Sequence, residues 1–247
     1  VVSVSLMSTA ALAQIGPSVN GGAPYSLSVD VDLVLLNVTV LDRKGHPISG
    51  LKPENFHVYE DGVLQQIRSF RPEDLPATIG IVIDNSGSMT SKRGEVISAA
   101  LAFVSSANPN DELFLVNFND SVTLPRFGSS KVFTSSYPDL RQALLEMRTE
   151  GRTALYDGIV AALQQLGKGS HSKKALVILS DGGDNASTST MDDVLRLAME
   201  STATLYTIGF YDPGDKDRNP KLLRRLSELT GGDSYGANNF HQVQNVW

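Results

Sequence analysis

Three short polar stretches hold the chemistry that this chain could perform: Asp84-x-Ser86-x-Ser88, Gly151-Arg152-Thr153 and Ser180-Asp181-Gly182-Gly183-Asp184. Each alone is ordinary, since Asp and Ser commonly cap helices, Thr153 opens a predicted helix and Asp-Gly is a frequent turn pair. Together they offer three carboxylates and several neutral hydroxyls at the ends of predicted strands and loops. If the strand beginning at Lys174 lies beside the strand ending at Asp84, and strand order reverses there, Asp84 and Asp181 face each other across a crevice. Two carboxylates so placed repel unless a cation sits between them. The hydroxyls of Ser86, Ser88 and Thr153 complete an oxygen shell without adding charge. Such a shell suits Mg²⁺ (or Mn²⁺) and leaves the ion electrophilic toward an external carboxylate.

Other metal chemistry is excluded by composition. There is no cysteine, and His46, His57, His171 and His241 lie at no ligand spacing, so thiolate and imidazole sites give way to hard cations with oxygen ligands. The net charge of −6 and the absence of a basic run argue against nucleic acid or an anionic membrane as the main partner. With 41% hydrophobic and 19% charged residues in 247, the chain suits one large globular domain or a domain plus a module.

The elements that must position these residues are legible as alternation. Gly80-Ile81-Val82-Ile83 is a short apolar run that stops at Asp84, as a buried strand does, and Ser88 is expected to begin the helix that follows, to about Ser106. Strands are predicted at Ala77–Asp84, Glu112–Phe118, Lys174–Ser180 and Ala203–Phe210, with a hairpin strand near Ser121–Leu124. Helices are predicted at Pro138–Met147, Ala154–Leu166, Met191–Ser201 and Pro220–Leu229. Apolar stripes support the helices: Val96, Ile97, Ala100, Leu101 and Val104 in the first, Leu222, Leu223, Leu226 and Leu229 in the last. Thr230-Gly231-Gly232 ends that helix, and the tail from Ser234 allows one more short strand. The fold class expected is α/β, a doubly wound, mostly parallel sheet with helices on both faces over residues 77–247.

A small all-β module is expected before it, over residues 28–70. Alternation between Ser28 and Leu41 changes phase, Asp42 to Gly45 is a turn, and Asp61-Gly62 between two apolar runs marks a hairpin. The acid pair Glu60-Asp61 is turn chemistry, and Asn37-Val38-Thr39 is a chance glycosylation triplet inside a strand. Residues 71–76, with two prolines, form a linker, and residues 14–27 a flexible leader. Residues 1–13 end in Ala11-Leu12-Ala13 and are expected to be a truncated signal peptide cleaved before Gln14. That cleavage pattern makes a secreted or periplasmic, cell-envelope location the expectation, and no later stretch is apolar enough over sufficient length to span a bilayer.

Asp84-x-Ser86-x-Ser88, Thr153 and Ser180-Asp181-Gly182, in this order within β–α alternation, resemble the metal-ion-dependent adhesion site of von Willebrand factor type A (VWA) domains. The resemblance covers about Ala77 to Gly236, and residues 50–62 are similar to the β region preceding this domain in secreted bacterial relatives. It implies direct coordination by Ser86 and Ser88, Thr153 direct or through water, and Asp84 and Asp181 acting mainly through water. The remaining position would take a carboxylate from a protein ligand. Ser180 stands where Thr is frequent, a mild departure. Arg152 stands where a small residue is usual, and either narrows the mouth, attracts an acidic ligand or is simply solvated. Arg152 and Asp184 are thus rim candidates, Asp157 is structural at a helix start, and Asn117 and Asp120 have no assigned role.

The function expected is a metal-dependent protein-binding, adhesion-type module and not an enzyme. A hydrolase is the weaker alternative: Asp84 occupies the first glycine position of a nucleophile elbow around Ser86, and no histidine is placed nearby by a motif. A phosphohydrolase with Asp84 as nucleophile would want a second acid where Ser86 stands. An envelope scaffold, in which the metal only staples loops, is a third possibility.

Overall fold

In the computed structural model, the residues described are 2–6, 50–70, 76–201, 203–211 and 218–236, with single positions at 36, 38, 40 and 48. The leader at 14–27, the phase change before Leu41, the turn at 42–45 and most of the linker lie outside them. The chain divides into two compact units, Val1–Asp74 and Leu75–Trp247.

In the first unit, β1 (Val2–Leu6) pairs in parallel with β2 (Phe56–Glu60), which pairs antiparallel with β3 (Val63–Gln65). The hairpin forms at Asp61-Gly62 as expected. Its two central residues have φ of 49° and 79°, the left-handed geometry that lets a two-residue turn match strand twist. Asn55 closes the 3₁₀ turn before β2 by accepting from Lys52 N at 2.8 Å.

The second unit is the α/β domain that the alternation predicts. Its six-stranded sheet has the order β6-β5-β4-β7-β8-β9. The strands are β4 (Ala77–Asp84), β5 (Glu112–Phe118), β6 (Val122–Thr123), β7 (Lys173–Ser180), β8 (Thr204–Gly209) and β9 (Ser234–Gly236). All pairings are parallel except β5 with β6. The chain first winds outward from β4 to β5 and β6, then crosses to β7 on the other side of β4. The boundary between β4 and β7 is therefore the point where winding direction reverses, and Asp84 and Ser180 end these two adjacent strands.

Helices cover both faces. Against Ile79, Ile81, Ile83, Leu115 and Val177 pack α1 (Arg93–Ser106), through Val96, Ala100 and Phe103, and α2 (Tyr137–Glu146), through Leu140 and Leu144. The opposite face, with Val82, Phe114, Val116 and Ile178, takes α3 (Leu155–Leu166), α4 (Met191–Ser201) and α5 (Pro220–Glu228). Because β4 is central, all eight of its residues are buried. Gly80 is required there by close approach: a Cβ would stand 2.4 Å from the Phe114 ring and 2.6 Å from a Leu176 methyl.

Two expectations about helices are corrected. Ser88 does not begin a helix: a 3₁₀ segment spans Gly87–Lys92, and α1 starts only at Arg93. The hydroxyl of Ser88 is directed to Asp181 and not to a helix terminus. Leu229 does not belong to the apolar stripe of α5. That helix stops at Glu228, and Leu229, just past the last turn, is 54% exposed while Leu222, Leu223 and Leu226 are buried. Among the described residues no helix is long and apolar enough to cross a membrane.

Candidate metal centre

Asp84 is carried to the carboxyl end of β4 by a strand with no exposed residue, and the chain then turns sharply through Asn85 and Ser86. Both turn residues are buried. Asp84 Oδ1 accepts from Ser86 N at 2.9 Å and from Ser86 Oγ at 2.6 Å, while Oδ2 accepts from Ser180 Oγ at 2.6 Å. The Ser86 hydroxyl stands 3.1 Å from that of Ser88, which in turn donates to Asp181 Oδ2 at 2.7 Å. One unbroken hydrogen-bonded chain thus runs Ser180–Asp84–Ser86–Ser88–Asp181 across the β4/β7 boundary. Asp84 and Asp181 are each 1% exposed, whereas Ser88 opens to solvent.

The three polar stretches converge through the backbone. Gly87 N donates to Gly151 O at 2.9 Å and Glu150 N to Asn85 O at 2.9 Å, which ties the Ser86–Ser88 turn to the loop bearing Thr153. Thr153, also buried, is clamped to the third loop: its N–H donates to Asn185 Oδ1, and its carbonyl accepts from Asn185 N and Ala186 N. The third loop is held by Ser180 Oγ, which accepts from Gly182 N at 2.9 Å, and by Asp181 Oδ1, which accepts from Gly183 N at 3.0 Å. Asn219 N, just before α5, donates to the Asp181 carbonyl at 2.8 Å.

Burial pushes the Asp84 carboxyl up to about 6; hydrogen bonds from Ser180 and Ser86 pull the other way, and the charge of Asp181 adds to the rise. Among the described residues no group of three or more His, Asp or Glu side chains gathers for a metal. The donor set here is two acids plus hydroxyls, which fits a hard divalent ion with retained water better than a softer one.

Of the rim candidates, Arg152 is exposed and bound to Asp120: its Nε donates to Oδ1 and its backbone N–H to Oδ2, both at 3.0 Å. Asp120 has no motif to mark it, because its partner lies 32 residues away. Asp184 accepts from Tyr156 N at 3.2 Å and from Ser187 Oγ at 2.6 Å, so it caps the start of α3 from a separate loop. Asp157 accepts from the backbone of Thr188 and Ser189 and is structural, as expected. Sequence reasoning missed Lys92, whose ammonium lies 3.7 Å from Asp181 Oδ2.

Two buried carboxylates and the hydroxyls of Ser86 and Ser88 thus meet at the carboxyl edge of the sheet. The family model of the von Willebrand factor type A domain matches residues 78–246, and the chain belongs to that family. It is 26% identical to an uncharacterised protein of Synechocystis sp. over 147 residues, 58% of this chain and 34% of that one; the chain thus spans about a third of that relative's length. A von Willebrand factor type A structure from Catenulispora acidiphila superposes with a TM-score of 0.56 at 18% identity, covering 69% of this chain and 42% of that one. Proximal thread matrix protein 1 from the mussel byssus, solved with zinc in its MIDAS motif, superposes at 0.55 and 16% identity, covering 69% and 46%.

Proposed function

We propose that the Leu75–Trp247 unit is a metal-dependent protein-binding module of a secreted or cell-envelope protein. Asp84, Ser86, Ser88, Thr153 and Asp181 would hold Mg²⁺ or Mn²⁺, and the partner would be a protein presenting an Asp or Glu carboxylate. The observation that supports this is the hydrogen-bonded chain from Ser180 to Asp181 at the sheet's switch point, with Ser88 as its exposed member. A bound ion would supply electrophilic attraction for the incoming carboxylate. The residues' own work is orientation: Ser180 and Ser86 fix both oxygens of Asp84, and Gly183 and Ser88 fix those of Asp181. The small-x-small pattern at Ala11-Leu12-Ala13 supports export, and zinc in the MIDAS motif of the byssus protein supports a metal in this fold.

Hydrolysis is less well supported. Among the described residues, Ser86 Oγ donates to a carboxylate that accepts also from Ser86 N and from Ser180 Oγ at the end of β7, with no imidazole between them. The described histidine of this unit, His171, donates its backbone N–H to Thr78 Oγ1 at the opposite end of β4. A pull-down comparing wild type, wild type with EDTA and Ser86→Ala/Ser88→Ala tests the proposal. The expected result is a partner retained by wild type with Mg²⁺ and lost in both other arms. A partner held equally in all arms would favour a scaffold whose binding face lies elsewhere.

A further inference from the structure

Lys92 ends the 3₁₀ segment that leads from the Ser86–Ser88 turn into α1. It is 8% exposed, and a lysine is seldom buried that far without a counter-charge. Its ammonium stands 3.7 Å from Asp181 Oδ2, the same oxygen that accepts from Ser88 Oγ at 2.7 Å. Asp181 therefore faces a cation from its own chain on the side where the ion-ligating hydroxyls gather.

We propose that Lys92 is a built-in competitor cation that sets the ion affinity of this site. The inference rests on the metal-binding role proposed above. In the ion-free domain the ammonium offsets the charge of the buried Asp181 carboxylate, so the loops keep their arrangement. A divalent ion must then bind against a positive charge in a poorly screened environment, where like charges repel strongly. An ammonium has three donors and no acceptor, so Lys92 cannot itself ligate the ion. Its flexible four-carbon stem lets the head withdraw from Asp181 when an ion arrives. A site built this way is weaker than its donor set alone would make it, and its occupancy follows the surrounding Mg²⁺ or Mn²⁺ concentration instead of staying saturated.

Mn²⁺ titrations and melting curves of wild type, Lys92→Met, Lys92→Arg and Asp84→Ala test this. Lys92→Met is expected to bind Mn²⁺ about tenfold or more tighter than wild type, and in EDTA to melt about 3–6 °C lower, because it leaves a buried acid without its counter-charge. Lys92→Arg, which keeps the cation, should stay near wild type in both. Should Lys92→Met fail to fold, Lys92→Gln carries the same expectation. Equal Mn²⁺ affinity for wild type and Lys92→Met, with binding lost only in Asp84→Ala, would overturn the role of Lys92 and leave the metal site standing. Absence of Mn²⁺ binding in all variants would overturn both.

Discussion

Asp84→Ala is expected to abolish the thermal stabilisation that Mg²⁺ confers on the wild-type domain. An ion present at about a hundred times its dissociation constant stabilises the folded state by about 2.7 kcal/mol, which for a domain of this size is a shift of roughly 5–10 °C. Asp84 would anchor the proposed site: it accepts from Ser86 N, Ser86 Oγ and Ser180 Oγ, and it ends a strand whose eight residues are all buried. Its loss removes one of two charges and releases both hydroxyls at once, so neighbouring groups cannot compensate. Melting curves with EDTA and with excess Mg²⁺ should separate by that shift in wild type and coincide in the variant. A shift retained by Asp84→Ala would place the ion elsewhere.

Gly182→Ala should damage stability and ion binding together. Gly182 has φ +84°, a conformation that costs an L-residue about 1–2 kcal/mol, and an added Cβ would lie 2.5 Å from the carbonyl oxygen of Asn219. That oxygen is backbone at the start of α5, so it cannot rotate away as a side-chain end would. Strain and displacement together should destabilise the domain by about 2–4 kcal/mol, visible as a lower denaturant midpoint with an unchanged slope. Asp181, the preceding residue, would move with the loop, so the Mg²⁺-dependent shift should also shrink. A variant with wild-type stability and an undiminished shift would mean that this turn does not hold the site.

Much of this architecture is legible in the residues because burial and local period coincide. Glu112–Phe118 and Met191–Ser201 form over the spans their apolar patterns predict, and β4 reads as a strand because both of its faces are covered. The errors arise where a side chain has a better partner far away than nearby. Ser88 looks like a helix cap by type and position, but the Asp181 carboxylate across the crevice draws its hydroxyl, and the chain tightens into a 3₁₀ segment instead. Asp184 likewise has a partner that its own stretch does not announce, since it caps the start of α3. Lys92 and Asp120 are illegible for the same reason. Each takes its role from a group brought close only by the folded sheet, and neither spacing nor type marks them beforehand. Leu229 shows the converse, an apolar residue in phase with a stripe whose helix ends one residue too soon.

The most direct measurement is a crystal structure of the domain soaked with Mn²⁺, with the ion located by its anomalous scattering. Occupancy at the β4/β7 boundary is expected, with Ser86 Oγ and Ser88 Oγ at about 2.1–2.2 Å from the ion and Lys92 drawn back from Asp181. Mn²⁺ absent from that crevice at saturating concentration, with the Asp84–Ser86–Ser88–Asp181 hydrogen bonds unchanged, would contradict a metal-dependent role for this site.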